Sequence, residues 1–143
     1  MAAVASYAFK DVVLLFNGVP LSGFADGDDA IVIERNVDAY TLLVGADGDA
    51  MALKQANKSG VATLKLLQSS ASNAILTAVL KIQDAGLLSP VPFSVVDPNG
   101  LDLVLAEAAF PAGPPRLVYG AGHNPREWKL ALPSVDIFAS GVV

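Results

Sequence analysis

Short apolar runs broken by turn dipeptides recur along the chain, and only one stretch keeps helical spacing. This punctuation constrains the fold most. Strands separated by turns, without regular strand–helix alternation, build antiparallel sandwiches or barrels. Tyr7–Phe16, with its run Val12-Val13-Leu14-Leu15-Phe16, reads as a strand. Asn17-Gly18 is its turn, and Val19–Phe24 is a short return. Asp26-Gly27-Asp28-Asp29 marks a second turn. Ile31–Arg35, Tyr40–Val44, Val61–Gln68 and Phe93–Val96 read as further strands. Asp97-Pro98-Asn99-Gly100 then turns the chain into Leu101–Phe110, followed by an irregular corner at Pro111–Pro115 and a short run at Leu117–Gly120. Near the end, Arg126, Trp128, Leu130 and Leu132 share one face, with Glu127, Lys129 and Ala131 opposite. That is the cleanest period-two pattern in the chain.

Two segments depart from this rhythm. Residues 72–84 place Ile75, Val79 and Ile82 on one helical face, with Leu76 and Leu80 widening it. Ser70 or Ser72 offers a hydroxyl to the free amides of the first turn. Gly86 supplies a left-handed stop. Residues 45–60 lack strand alternation and are long for a hairpin connection. Such loops in compact domains tend to be functional or mobile, so this one is expected to project. The expected architecture is a mainly β single domain over residues 1–143. It is an antiparallel sandwich or barrel of about eight short strands, with one flanking helix (about 72–84) and one long projecting loop (about 45–60). Phe16, Ile75, Val79, Ile82 and Trp128 are its expected core anchors.

Composition points to association. Hydrophobic residues make up 53% of the chain and charged residues 16%, against about 25% charged in an average domain. A chain of 143 residues has limited interior in which to hide so much apolar surface. Burial between subunits is the expected outlet. The net charge of −5 and the absence of any basic stretch argue against a protein that grips phosphates. They leave room for a surface past which DNA slides. The apolar start, Met1–Ala5, is short and lacks a basic flank, so it does not read as a signal peptide. Leu66–Leu80 is interrupted by polar residues and Ala85–Val96 by prolines, so neither reads as a membrane span.

Catalytic and metal chemistry find no support. With no cysteine, thiol nucleophiles and thiolate metal sites are excluded. His123, the only histidine, lies in a Gly-rich turn, and no serine sits in a nucleophile elbow. Two Asp-Gly-Asp fragments resemble pieces of a calcium loop. Counted from Asp26, the fifth and twelfth positions hold Ala30 and Val37; from Asp47 they hold Met51 and Lys58. Neither set supplies the oxygens such a loop requires, so turn chemistry explains both. No cofactor is expected, and the chain does not read as an enzyme.

The order of certain segments resembles the tail tube proteins of contractile-tailed bacteriophages. These are Tyr7-Ala8-Phe9-Lys10-Asp11-Val12; Val44-Gly45-Ala46-Asp47-Gly48 with Asn57-Lys58-Ser59-Gly60; Leu64–Ser70 with Asn73-Ala74; and Asn124-Pro125-Arg126-Glu127-Trp128. The ring-forming tube proteins of type VI secretion are similar. The resemblance implies a β-sandwich with one flanking helix, forming rings of six copies that stack into a tube within a sheath. DNA passes through the bore. Implied partners are further copies of the chain, then sheath, baseplate or hub, and tape-measure proteins. The implied location is the virion, after assembly in the host cytoplasm. The 45–60 loop would reach the next ring, with Gly45, Asp47, Asp49, Met51, Lys54, Gln55, Asn57 and Lys58 as interface candidates. Asp47 and Asp49 would meet basic groups such as Lys54 and Lys58 of a neighbour. The rival readings are a tube protein of another contractile injection system and a non-enzymatic β-sandwich binding module.

Overall fold

A computed structural model describes residues 9–87, 90–98 and 102–139. The start of the expected first strand (Tyr7), part of the 97–100 turn (Asn99, Gly100) and Leu101 lie outside the described residues. After a 3-10 turn at Phe9–Asp11, the elements are β1 (Val13–Phe16), β2 (Val19–Pro20), β3 (Ile31–Arg35), β4 (Tyr40–Val44), β5 (Ala50–Lys54), β6 (Gly60–Leu66), α1 (Ser72–Asp84), β7 (Val91–Asp97), β8 (Asp102–Pro111), β9 (Arg126–Leu132) and β10 (Val135–Phe138). The fold is thus mainly antiparallel β with a single helix among the described residues, as expected.

Strand order runs β2-β1-β7-β8-β9-β6-β3, with β10 on the free side of β8. The ten-residue β8 joins the two halves. Its early residues pair with β7 on one side and with β10 on the other. Its last two, Phe110 and Pro111, pair with Ala131 and Leu130 of β9. Inward positions of both halves fill one core: Leu14 and Phe16, Phe93 and Val95, Val104 and Ala106, Leu64 and Leu66, Leu130 and Leu132. Trp128 is 1% exposed, and its indole N–H donates to Asn73 Oδ1 of α1 at 2.9 Å. Pro92 sits at a register shift in β7, where its missing N–H is tolerated.

The helix occupies the expected span. The Ser70 hydroxyl accepts the Ser72 N–H, whereas the buried Ser72 hydroxyl accepts the N–H of Ser22. At the far end, Leu87 N–H reaches Ile82 O and Gly86 N–H reaches Gln83 O, with Gly86 at φ 91°. This is the paired-bond stop that favours glycine. The buried face requires a correction. It is centred on Leu76 with Ser72 and Leu80, while Ile75 and Val79 are only partly buried. Ile82 is 49% exposed. At about 100° per residue, Ile82 lies roughly 120° around the helix from Leu76, too far to reach the core.

Other expectations shift in detail. Leu117–Gly120 forms no strand, and the return after Asn17-Gly18 is only two residues long. The strand Val135–Phe138 was not expected. Gly60 is buried where β3, β6 and β10 converge. A Cβ there would stand 2.7 Å from Glu34 O and 2.8 Å from Val135 Cγ1. Gly60→Ala is therefore expected to lower stability by about 1–3 kcal/mol, read as a lower urea midpoint with an unchanged slope.

On the surface, Lys65 Nζ and Asp29 Oδ2 are 2.7 Å apart. The hydrogen bond from Lys65, then its charge, lowers the Asp29 carboxyl below its ordinary value, and Lys65 is raised in return. A lowered carboxyl contributes stability that is present above its unfolded value, near 3.8, and lost as pH falls through the lower folded value. Lys65→Met is expected to return the Asp29 titration, followed by NMR, to the ordinary aspartate range.

Candidate assembly interface

The segment expected as a loop contains strand β5, and with β4 it forms a two-stranded hairpin. This corrects the reading of residues 45–60: only Gly45–Asp49 is a turn, and Gln55–Ser59 is a connector. Every residue of both strands is exposed, and the pair forms a sheet of its own. The strand pattern went unseen because alternation is legible only where one face is buried. Here neither is.

The hairpin continues the β3–β6 pair. Arg35 pairs with Gly60 and Tyr40 with Lys54, so residues 36–39 face residues 55–59, four against five. Asn36 N–H donates to Ser59 O and Gln55 N–H to Ala39 O, so the ribbon stays stitched through this join. Gln55 Nε2 also donates to Thr41 Oγ1 at 2.9 Å. The return leg carries one residue more than the outgoing leg across a join that is strand on neither side. The strand β4 itself, Tyr40–Val44, spans about 14 Å at about 3.3 Å per residue.

Its root is fixed. Arg35 donates from Nε and Nη2 to Val135 O at 3.2 and 2.8 Å, and Asp136 lies 3.7 Å from its guanidinium. Val135 N–H donates to Lys58 O at 3.0 Å. One residue of β10 therefore holds both legs.

The interface candidates fall into three places. Gly45, Asp47 and Asp49 form the tip, where Gly45 N–H donates to Asp49 O and the Asp47 carboxylate accepts the Asp49 N–H. Met51 and Lys54 lie on β5, opposite Leu43 and Tyr40. Gln55, Asn57 and Lys58 belong to the root, where Asn57 Oδ1 accepts the Ser59 N–H. Sequence reasoning reads Tyr40–Val44 as a strand but leaves it out of the interface candidates. Tyr40, Leu42, Leu43 and Val44 are all more than half exposed, Leu42 at 69%. The Asp47-Gly48-Asp49 turn between two apolar runs was the available signal.

An isolated two-stranded hairpin is marginal in water. This one is apolar on both faces: Tyr40, Leu42 and Val44 on one, Leu43, Met51 and Leu53 on the other. Burying such side chains against a partner yields about 1.5–3 kcal/mol each at most. Six together approach the cost of an association.

A profile of the family described as Bacteriophage PhiTE tail tube protein matches residues 4–138. The chain belongs to this tail tube family. This tail tube family member is also 29% identical over 144 residues to "Structural protein ORF10" of Pseudomonas phage KPP10, covering 95% of this chain and 83% of that protein. Two solved structures share its fold at 9% identity. One is the sheath/tube terminator of the extracellular contractile injection system PVC, with a TM-score of 0.59 over 96% of this chain and 100% of that one. The other is the tube-terminating cap of the anti-feeding prophage AFP, with a TM-score of 0.60 over 97% and 95%.

The remaining chemistry is local to the fold. His123 Nε2 accepts the backbone N–H of Gln68 at 3.0 Å, a structural bond. Arg126 lies 5.2 Å from the Tyr119 ring centroid. Among the described residues, no group of three or more His, Cys, Asp or Glu could hold a metal, and no helix is long and apolar enough to cross a membrane.

Proposed function

We propose that this tail tube family member assembles into rings that stack into the inner tube of a phage tail, and that the β4–β5 arm bridges copies. The observation that carries the reading is the arm itself, a long, root-clamped hairpin exposed and apolar on both faces. A surface of that kind is completed by a second protein surface. Six copies per ring is the number the family resemblance implies. The net charge of −5 suits a bore that repels phosphate, so DNA passes without being held. Sheath, baseplate or hub, and tape-measure proteins are the proposed further partners. The proposed role is structural, without catalysis. Assembly takes place in the host cytoplasm, and the virion tail is the destination.

Negative-stain microscopy of the purified chain tests this directly. Stacked rings of tail width are the expected result, and a dispersed monomer at high concentration would overturn it. The two terminators that share the fold support a second reading, a ring that ends a tube. Single rings that never stack would favour that reading over the tube.

A further inference from the structure

The outer face of the β1-β7-β8-β10 sheet carries a groove of about 560 Å³. Strand registers place Leu15, Ser94, Leu105 and Asp136 in one row across it. Pro92 and Glu107 complete its rim. Its floor is apolar: Leu105 on β8 is 45% exposed, although its neighbours Val104 and Ala106 point into the core. Both charged residues lining it, Glu107 and Asp136, are acidic. Arg35 stands 3.7 Å from Asp136, yet the Asp136 side chain stays 61% exposed. The groove thus suits an apolar ridge that brings a cation.

One face of the arm has that chemistry. Tyr40, Leu42 and Val44 alternate along β4, and Lys54 pairs directly with Tyr40. Ala52 and Ala50 oppose Leu42 and Val44, so the ridge is not crowded by its own return strand. The other face, Thr41, Leu43, Met51 and Leu53, has no cation. Lengths agree as well. Four strands at about 4.8 Å spacing put Leu15 and Asp136 roughly 14 Å apart, and Tyr40 to Val44 spans about 14 Å along a strand.

We propose that this groove seats the Tyr40–Leu42–Val44 face of the arm from a second copy, with Lys54 brought to Glu107 and Asp136. The proposal rests on the ring-and-tube reading and names the receiving surface. Arm and groove are different surfaces, so the contact is heterologous. Each copy gives one arm and receives one, which generates a ring or an open stack and not a closed pair.

The natural chain has no cysteine, so introduced ones report contacts cleanly. The double variant Leu42→Cys/Leu105→Cys, oxidised under assembling conditions, is expected to convert monomer into a ladder of covalent oligomers. Leu53→Cys/Leu105→Cys, on the opposite arm face, is expected to give none. Tubes seen by microscopy without a ladder would overturn the groove assignment while leaving the tube reading intact. Absence of rings and tubes in the natural chain would remove both. Crosslinks from Leu42→Cys alone would mean that arm meets arm. Crosslinks from Leu105→Cys to a different tail protein would give the groove to that partner. Either result overturns the proposal. A second arm needs no cysteine: Lys54→Glu should stop growth and Glu107→Lys should restore it, and failure of the restoration counts against the assignment.

Discussion

Replacing Tyr40–Lys54 with a two-residue Asn-Gly turn is expected to leave a subunit that folds with near-native stability and forms no tubes. The arm adds nothing to the core: both strands are exposed and form a separate sheet. The join survives the cut, because Asn36 N–H still reaches Ser59 O and Val135 still holds Lys58 and Arg35. A narrower deletion of residues 48–57 would be less clean, since it removes β5 and leaves β4 unpaired. The measurements are thermal unfolding beside negative-stain microscopy. Tubes of normal length from the shortened chain would sink the arm's role. A subunit that no longer folds would show that the arm belongs to the body.

The second large effect concerns the core. Trp128→Ala is expected to cost about 3–5 kcal/mol, because it empties one of the largest fully buried positions. It also strips Asn73 Oδ1 of its 2.9 Å partner, the bond that ties β9 to the start of α1. Against a typical total of about 5–15 kcal/mol, that removes a large share of stability. Trp128→Phe keeps most of the volume and loses the indole N–H, so it should cost about 1–3 kcal/mol. Urea unfolding of the three proteins measures the ladder. A loss below about 1 kcal/mol for the alanine variant would contradict the burial.

Most parts legible in the sequence have one side facing the core; Tyr40–Val44, exposed throughout, was legible only as a short branched and aromatic run before a turn. Arg126–Leu132 alternates because Trp128, Leu130 and Leu132 are buried. The helix stop was legible because Gly86 acts through local backbone geometry; the start was not, because the N-cap position is Ala71, which has no side-chain acceptor, and the Ser72 hydroxyl serves Ser22 instead. The helix's buried line was misplaced by one position. Isoleucine spacing suggested Ile75–Val79–Ile82, but packing against the sheets selected Leu76 and Leu80. The dual pairing of β8 is non-local, and no short window contains it. β10 is four residues long and follows Pro133-Ser134, so it carried too few residues to show a period. The arm was the largest gap. Both faces of β5 are exposed, so no buried side imposes the alternation that single-chain patterning can read.

The count of four residues against five at the root of the arm restricts how such an arm can change length. Register is held at Arg35–Gly60 below and at Tyr40–Lys54 above. One residue added to a single leg would turn that strand over and exchange its two faces. Growth that keeps Tyr40, Leu42 and Val44 on the same side must add two residues to each leg together, a step of about 7 Å. The reach of the arm can therefore be adjusted only in coarse increments. The spacing of any assembly built on it is graduated, like the teeth of a rack.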